Sequence, residues 1–349
     1  MLTEVFEQEA ETADDLDRLL AVLAYLVEGQ REVVVPVRPR EVEHDGTVRN
    51  AAVRRGNGAA GEPFAGLQVS DMYVYWRRFD KRLALIAVGG YGRGELYPSS
   101  DVDLLILLAR DPSAGEREAL ERLIGILWDI GLEISHSVRT IGACVETAAE
   151  DITIRTALLE ARYLAGGRGL FRRLQAELAR SLDSARFFEA KKLEQEQRHA
   201  KHHDSPYSLE PNLKEAPGGL RDLHVIQWIA RASGIGSRWS DLVEHRLIER
   251  AEARQLARYE AFLQDLRIRL HYLAGRREDR LVFDLQSALA LQLGHADTAQ
   301  RRASEALMQR YYRAAKAVTQ LNAILLQNLE ARLLPQPDEA PRALNERFH

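Results

Sequence analysis

Between residues 85 and 108 the chain reads LIAVGGYGRGELYPSSDVDLLILL, and this stretch constrains the fold more tightly than any other. Ile86, Ala87 and Val88 form an apolar run that stops at Gly89-Gly90, with Gly92 and Gly94 close behind, the pattern of a buried strand feeding a tight turn. Glycines there remove the Cβ atoms, so backbone N–H groups can approach an anion closely. After Pro98, Ser99 and Ser100 comes Asp101-Val102-Asp103, which enters a second apolar run at residues 104–108. Side chains alternate across a strand, so Asp101 and Asp103 are expected on one face and Val102 on the other. Two adjacent carboxylates repel each other unless a cation sits between them. A hard divalent ion such as Mg²⁺ suits them, because it takes few carboxylates and completes its shell with substrate phosphate oxygens. The alternative is a turn followed by a strand that happens to carry two edge acids, yet acids at alternate positions beside a fully apolar run seldom serve packing.

With 349 residues the chain is long enough to divide in two, since single cores rarely grow past about 250 to 300 residues. Apolar residues at 46% and charged residues at 29% describe a globular chain rather than a disordered one. A net charge of −4 gives no general attraction to nucleic acid or to an anionic membrane. The single cysteine, Cys144, can form no internal disulfide and excludes a cysteine-based metal site. The start, MLTEVFEQEAETADD, lacks the basic-then-apolar pattern of an export signal, and no apolar run approaches the length of a bilayer span. A cytoplasmic location is expected.

Four regions are expected along the chain. Residues 1–69 hold a helix over 14–28, a short strand over 33–37 and a glycine-rich loop over 38–66, in which Arg49, Arg54 and Arg55 are read as solvated. Residues 70–168 read as an α+β unit with a small mixed sheet: a helix over 70–83, the glycine turn and the acidic pair, a helix over 115–130, a strand LEISHSVRT, and a helix over 146–165. Glu133 in that strand alternates with Leu132 and Ile134 and is the candidate third carboxylate. Residues 169–335 read as mostly helical, ending in a long helix over 303–333, and 336–349 as a linker. In the helix over 187–203, His199, His202 and His203 are assigned to a solvated face, because no other ligand type stands at metal spacing. Two polar clusters stand out. YSLEPNLKEAPGGLRDLH (207–224) concentrates Glu210, Lys214, Glu215, Arg221 and Asp222 around prolines and a glycine pair, and a second cluster runs from Arg267 to Asp284 through RREDRLVFD.

An apolar residue, Gly-Gly, a spacer of this size and Asp-x-Asp resemble the DNA polymerase β-type nucleotidyltransferase superfamily. VGGYGRGELYPSSDVDLLIL, LEISHSVRT, LEPNLKEAPGGLRDLH, LAGRREDRLVFD and MQRYYRAAKAV, in this order, resemble the bacterial PII uridylyltransferase (uridylyl-removing) family from residue 70 onward. That resemblance implies transfer of UMP from UTP to a tyrosine hydroxyl of the signalling protein PII, with release of pyrophosphate and Mg²⁺ (or Mn²⁺) as cofactor. It maps the phosphate turn onto Gly89 and Gly90 and the metal-binding pair onto Asp101 and Asp103. The family continues into an HD phosphohydrolase domain and ACT domains. Neither His44-Asp45 nor His203-Asp204 has metal-ligand companions, so a truncated transferase portion is expected.

In the mechanism expected from these parts, Asp101 and Asp103 hold one metal on the triphosphate and share a second, with Glu133, near the α-phosphate and the attacking hydroxyl. Gly89 and Gly90 hold outer phosphates, with Arg93, Ser99 and Ser100 as helpers, and Lys214 and Arg221 touch the nucleotide from the helical region. Two other functions fit the same residues: another protein nucleotidyltransferase, such as an adenylyltransferase, and a regulatory module that binds nucleotide without transferring it.

Overall fold

The computed structural model describes residues 79–129, 134–202 and 205–334. The expectations for residues 1–78 and 335–349, and for Glu133, lie outside the described residues. The chain divides into two compact units, one ending at Arg180 and one starting at Ser181.

In the first unit a short 3-10 turn (Asp80–Arg82) delivers the chain into β1 (Leu83–Ala87), where the helix expected up to residue 83 has already given way to strand. β1 is buried along its whole length and has no polar side chain, as a central strand covered on both faces requires. A one-turn helix, α1 (Gly89–Gly92), follows, and then β2 (Val102–Leu108), α2 (Ala114–Asp129), β3 (Ile134–Thr140), α3 (Ile141–Glu150), α4 (Ile152–Leu159), β4 (Arg162–Gly166) and α5 (Arg168–Arg180). The sheet order is β3-β2-β1-β4. β1 runs antiparallel to both neighbours, while β2 and β3 are parallel and joined through α2, so the sheet is mixed and the unit is α+β as expected. β3 is half-exposed and polar, in keeping with its place at the sheet's end.

Alternation along β1 and β2 feeds two cores. Leu83, Leu85, Val102, Leu104 and Ile106 meet Ala119, Leu120 and Leu123 of α2 on one face. Ala84, Ile86, Leu105 and Leu107 meet Cys144, Ala148, Leu158 and Phe171 on the other. This second face explains a departure from the sequence-based outline. The single helix expected over 146–165 is broken at Asp151, whose carboxylate caps α4 by accepting from the N–H of Thr153 at 2.6 Å, and its last turn is instead strand β4. A helix expected from residue 169 is present as α5, which sends Leu170, Phe171 and Leu174 beneath the sheet.

The second unit is helical among the described residues: α6 (Ser184–Lys201), α7 (Leu220–Ala232), α8 (Trp239–Glu244), α9 (Arg250–Ala274), α10 (Phe283–Gln292) and α11 (Ala303–Leu333). The bounds of α11 match those expected from its apolar stripe. Before α7 the chain turns at Gly218, with φ 78°, and a Cβ there would lie 2.2 Å from the carbonyl oxygen of Ala315. Only glycine lets this turn lie directly on the backbone of α11. No helix among the described residues is long and apolar enough to cross a membrane.

Candidate functional site

The end of the β1–β2 pair brings the glycine turn and Asp103 together. The N–H of Val88 donates to the carbonyl of Asp103 at 3.1 Å, one step beyond the Ala87–Leu104 pair, so the ladder carries Asp103 to the foot of the turn. Val102 is fully buried and Asp103 is half-buried, the alternation expected of a strand; Asp101 immediately precedes β2. Gly89 has φ 57°, and a Cβ built on it would lie 2.9 Å from Oδ2 of Asp103. The carboxylate therefore occupies the space that a side chain at residue 89 would need.

The two glycines are not equivalent. At Gly90 a Cβ would meet its nearest neighbour, the carbonyl of Glu95, at an ordinary 3.5 Å. Gly89→Ala should therefore displace the Asp103 carboxylate and strain the backbone, whereas Gly90→Ala should be tolerated far better. A misplacement of about 1 Å near reacting atoms can cost about a hundredfold in rate, and left-handed backbone costs a non-glycine residue about 1–2 kcal/mol. Steady-state kinetics and melts of the two variants check this ordering.

α1 starts a helical turn, whose first N–H groups have no intrahelical acceptor, and Gly89 and Gly90 supply them here. Its other end is bonded inward: Gly92 donates to Val88 at 3.0 Å, Arg93 to Gly89 at 3.1 Å, and Glu95 to Gly90 at 2.9 Å. Ser99 and Ser100 lie on the connection to Asp101. Ser99, with φ 57°, follows Pro98 in a turn closed by the Ser100 N–H to the Tyr97 carbonyl at 3.0 Å. Neither serine hydroxyl makes a hydrogen bond among the described residues, so both can turn toward a ligand.

Arg93, expected to help hold phosphate, is anchored by two acids: its Nη1 donates to both carboxylate oxygens of Glu160, at 2.6 and 2.7 Å, and its Nε donates to Glu95 at 3.0 Å. Burial works against its charge, yet the carboxylates of Glu160 and Glu95 outweigh this and hold its pKa above the ordinary value. The same segment supplies Arg162, which donates to the carbonyls of Tyr91 and Gly92 at 2.9 and 3.4 Å. Glu160 is not among the expected site residues; the available signal is a lone acid within the apolar run ALLEA.

The donor types fit a hard divalent cation: Asp103, with Asp101 two residues before it, stands at a strand end beside a turn in which the missing Cβ of Gly89 leaves the space that Oδ2 of Asp103 occupies.

In the second unit the two polar clusters prove to be one. Asn212 bridges to Arg280, the N–H of Leu213 donates to the carbonyl of Asp279 at 2.7 Å, and that of Leu281 to Pro211 at 2.9 Å. Arg221 donates to Glu215 at 3.0 Å and lies over the Trp228 ring at 5.2 Å. Among the described residues Lys214 comes no nearer to an acid than 3.7 Å, from Glu215. Burial and the neighbouring Arg221 lower its pKa, against the pull of Glu215. The carboxylate of Asp279 receives Arg267 at 2.5 Å and His271 at 3.1 Å. His199, assigned to a solvated face, instead bonds through Nε2 to the buried Asp222 at 2.8 Å.

Comparison with known proteins bears on both units. Residues 75–159 match the family described as "Nucleotidyltransferase domain", and residues 186–326 match "GlnD PII-uridylyltransferase". The chain is 58% identical over 264 residues to a bifunctional uridylyltransferase/uridylyl-removing enzyme of Bordetella parapertussis, covering 76% of this chain and 30% of the relative. It is 56% identical over 275 residues to the protein of that description from Cupriavidus pinatubonensis (78% and 32%), and 56% identical over 263 residues to that of Burkholderia pseudomallei (75% and 31%). The chain thus spans about a third of the length of the curated relatives it matches.

Proposed function

Since the chain carries the nucleotidyltransferase and GlnD-type domains of the bacterial PII uridylyltransferases, we propose that it transfers UMP from UTP to a tyrosine hydroxyl of a PII-type signalling protein, releasing pyrophosphate. The observation that carries this reading is the seating of Asp103 against Gly89, which joins an anion-binding turn to a cation-binding carboxylate. A turn or an acid pair alone would serve many purposes. Together they fit a triphosphate with its divalent cation.

A divalent cation, in this reading Mg²⁺ with Mn²⁺ as a substitute, supplies charge neutralisation and polarisation of the phosphate when held by Asp101 and Asp103. The chain's own groups do the rest. The N–H groups of Gly89 and Gly90 bind outer phosphate oxygens, and the hydroxyls of Ser99 and Ser100 donate beside them. Glu133 is proposed as a further carboxylate. Within the second unit, taken by itself, Lys214 is proposed as an anion contact, supported by its lack of a hydrogen-bonded acid among the described residues. Arg221, held by Glu215 and Trp228, is proposed to help it. The lone cysteine supports work in a reducing cytoplasm.

Phosphate and metal contacts do not read a base, so base choice is tested directly. Purified chain, a PII-type acceptor and Mg²⁺ are incubated with UTP, ATP, CTP or GTP, and pyrophosphate is measured. Release that depends on acceptor and is greatest with UTP is expected. Greatest release with ATP would make this an adenylyltransferase, and nucleotide binding without release would make it a regulatory module.

A further inference from the structure

We propose that Glu160 is a positioning residue for the phosphate-binding turn, acting through Arg93 to fix the direction of the Gly89 and Gly90 amides. This rests on the function proposed above. Glu160 is 3% exposed, and both its oxygens are taken by one nitrogen of Arg93. Arg93 caps α1 at its far end, and its own N–H donates to Gly89. A side chain fixed there fixes the turn's closing bond.

The clamp is more than one ion pair. Gly92 lies so close to the backbone of Glu160 that a Cβ on it would come within 2.3 Å of the Glu160 carbonyl oxygen. Two residues on, Arg162 bonds the carbonyls of Tyr91 and Gly92, and its guanidinium lies 5.1 Å from the centre of the Tyr91 ring. Arg162 in turn is registered against Ala87 in the β1–β4 pair. The strand that leads into the turn and the segment that clamps its far end are therefore locked together, and α1 is held at both ends.

A buried ion pair is weak evidence for stability, because desolvation can cancel its attraction. It does impose one geometry, since a charged partner left misaligned in the interior is costly. An anion bound by backbone amides depends on that geometry. The expected defect is in nucleotide binding, with the chemical step spared.

The test is Glu160→Gln in the full chain, which keeps shape and one acceptor oxygen but removes the charge. With a PII-type acceptor, KM for UTP should rise about tenfold or more while kcat stays within about twofold, the signature of lost uniform binding. Arg93→Met should act alike, and the double variant should be no worse than Arg93→Met alone, because both act through one contact. An unchanged KM, or a kcat that falls only with the folded fraction, would overturn the proposal. If E160Q does not fold, Arg162→Lys, which withdraws the second arm of the clamp, is read by the same criteria. If the wild-type chain transfers nothing, the function reading fails, and the brace is still tested by amide exchange. Faster exchange confined to residues 89–93 in E160Q supports it, and unchanged exchange there overturns it.

Discussion

Replacing Asp103 with Asn should lower nucleotidyl transfer by about a thousandfold or more while leaving the fold standing. Asn has the shape of Asp but not its charge, and charge is what a divalent cation on a triphosphate requires. Such a cation contributes several kcal/mol to a phosphoryl-transfer barrier, and each 1.36 kcal/mol is about tenfold in rate. The fold should not suffer, since the backbone bond from Val88 to the Asp103 carbonyl is untouched by the change. Without divalent ion the variant should melt close to wild type, because Asn keeps the shape of the half-buried side chain. The rise in Tm that Mg²⁺ gives the wild type should be missing from the variant. Single-turnover rates and paired melts with and without Mg²⁺ check both halves.

The largest loss of stability is expected at Asp222→Ala, in the helical unit. Asp222 is fully buried, and its carboxylate accepts from Arg198 at 2.5 Å, from the N–H of Gly218 at 2.7 Å, and bonds His199 at 2.8 Å. Its carbonyl accepts from Asn322 of α11 at 2.8 Å, so one residue ties α6, α7, α11 and the glycine turn. Removing the acid leaves the 10%-exposed Arg198 without its closest partner. Breaking a buried pair from one side costs about 3–5 kcal/mol, and in a unit of this size that lowers Tm by about 6 °C or more.

The same carboxylate predicts a pH dependence. Burial alone would raise the Asp222 pKa, but the bonds and charges of His199 and Arg198 outweigh it and hold it below the ordinary value. A folded pKa below the unfolded one means that the stabilisation is complete above about pH 4. It is lost as pH falls through the lower, folded value. Asp222→Ala should therefore show a shallower loss of stability in that acid range than wild type, measured by denaturant melts.

These residues also show what the amino-acid sequence does and does not reveal. The β1–turn–β2 unit is legible because apolar runs, glycines and alternating acids lie within one short stretch, where strand geometry fixes their relation. α11 is legible because its apolar stripe is continuous. β4 is not, since its short segment follows a helical pattern without a break in composition, and only pairing with β1 makes it a strand. The Arg93–Glu160 clamp joins residues 67 positions apart, and nothing local marks them as partners. His199 illustrates the same limit: its helix is strongly charged, so solvent is the natural reading until Asp222, 23 residues on, folds against it. Arg93 is legible as an arginine beside a glycine turn, while its acid, Glu160, lies in a distant segment.

The most direct measurement is the intact mass of a PII-type protein after incubation with this chain, Mg²⁺ and UTP, beside a parallel incubation with the Asp103→Asn chain. A gain of one uridylyl group with the wild-type chain and none with the variant is the predicted result. An unchanged mass with wild type, or an equal gain with both, would contradict it.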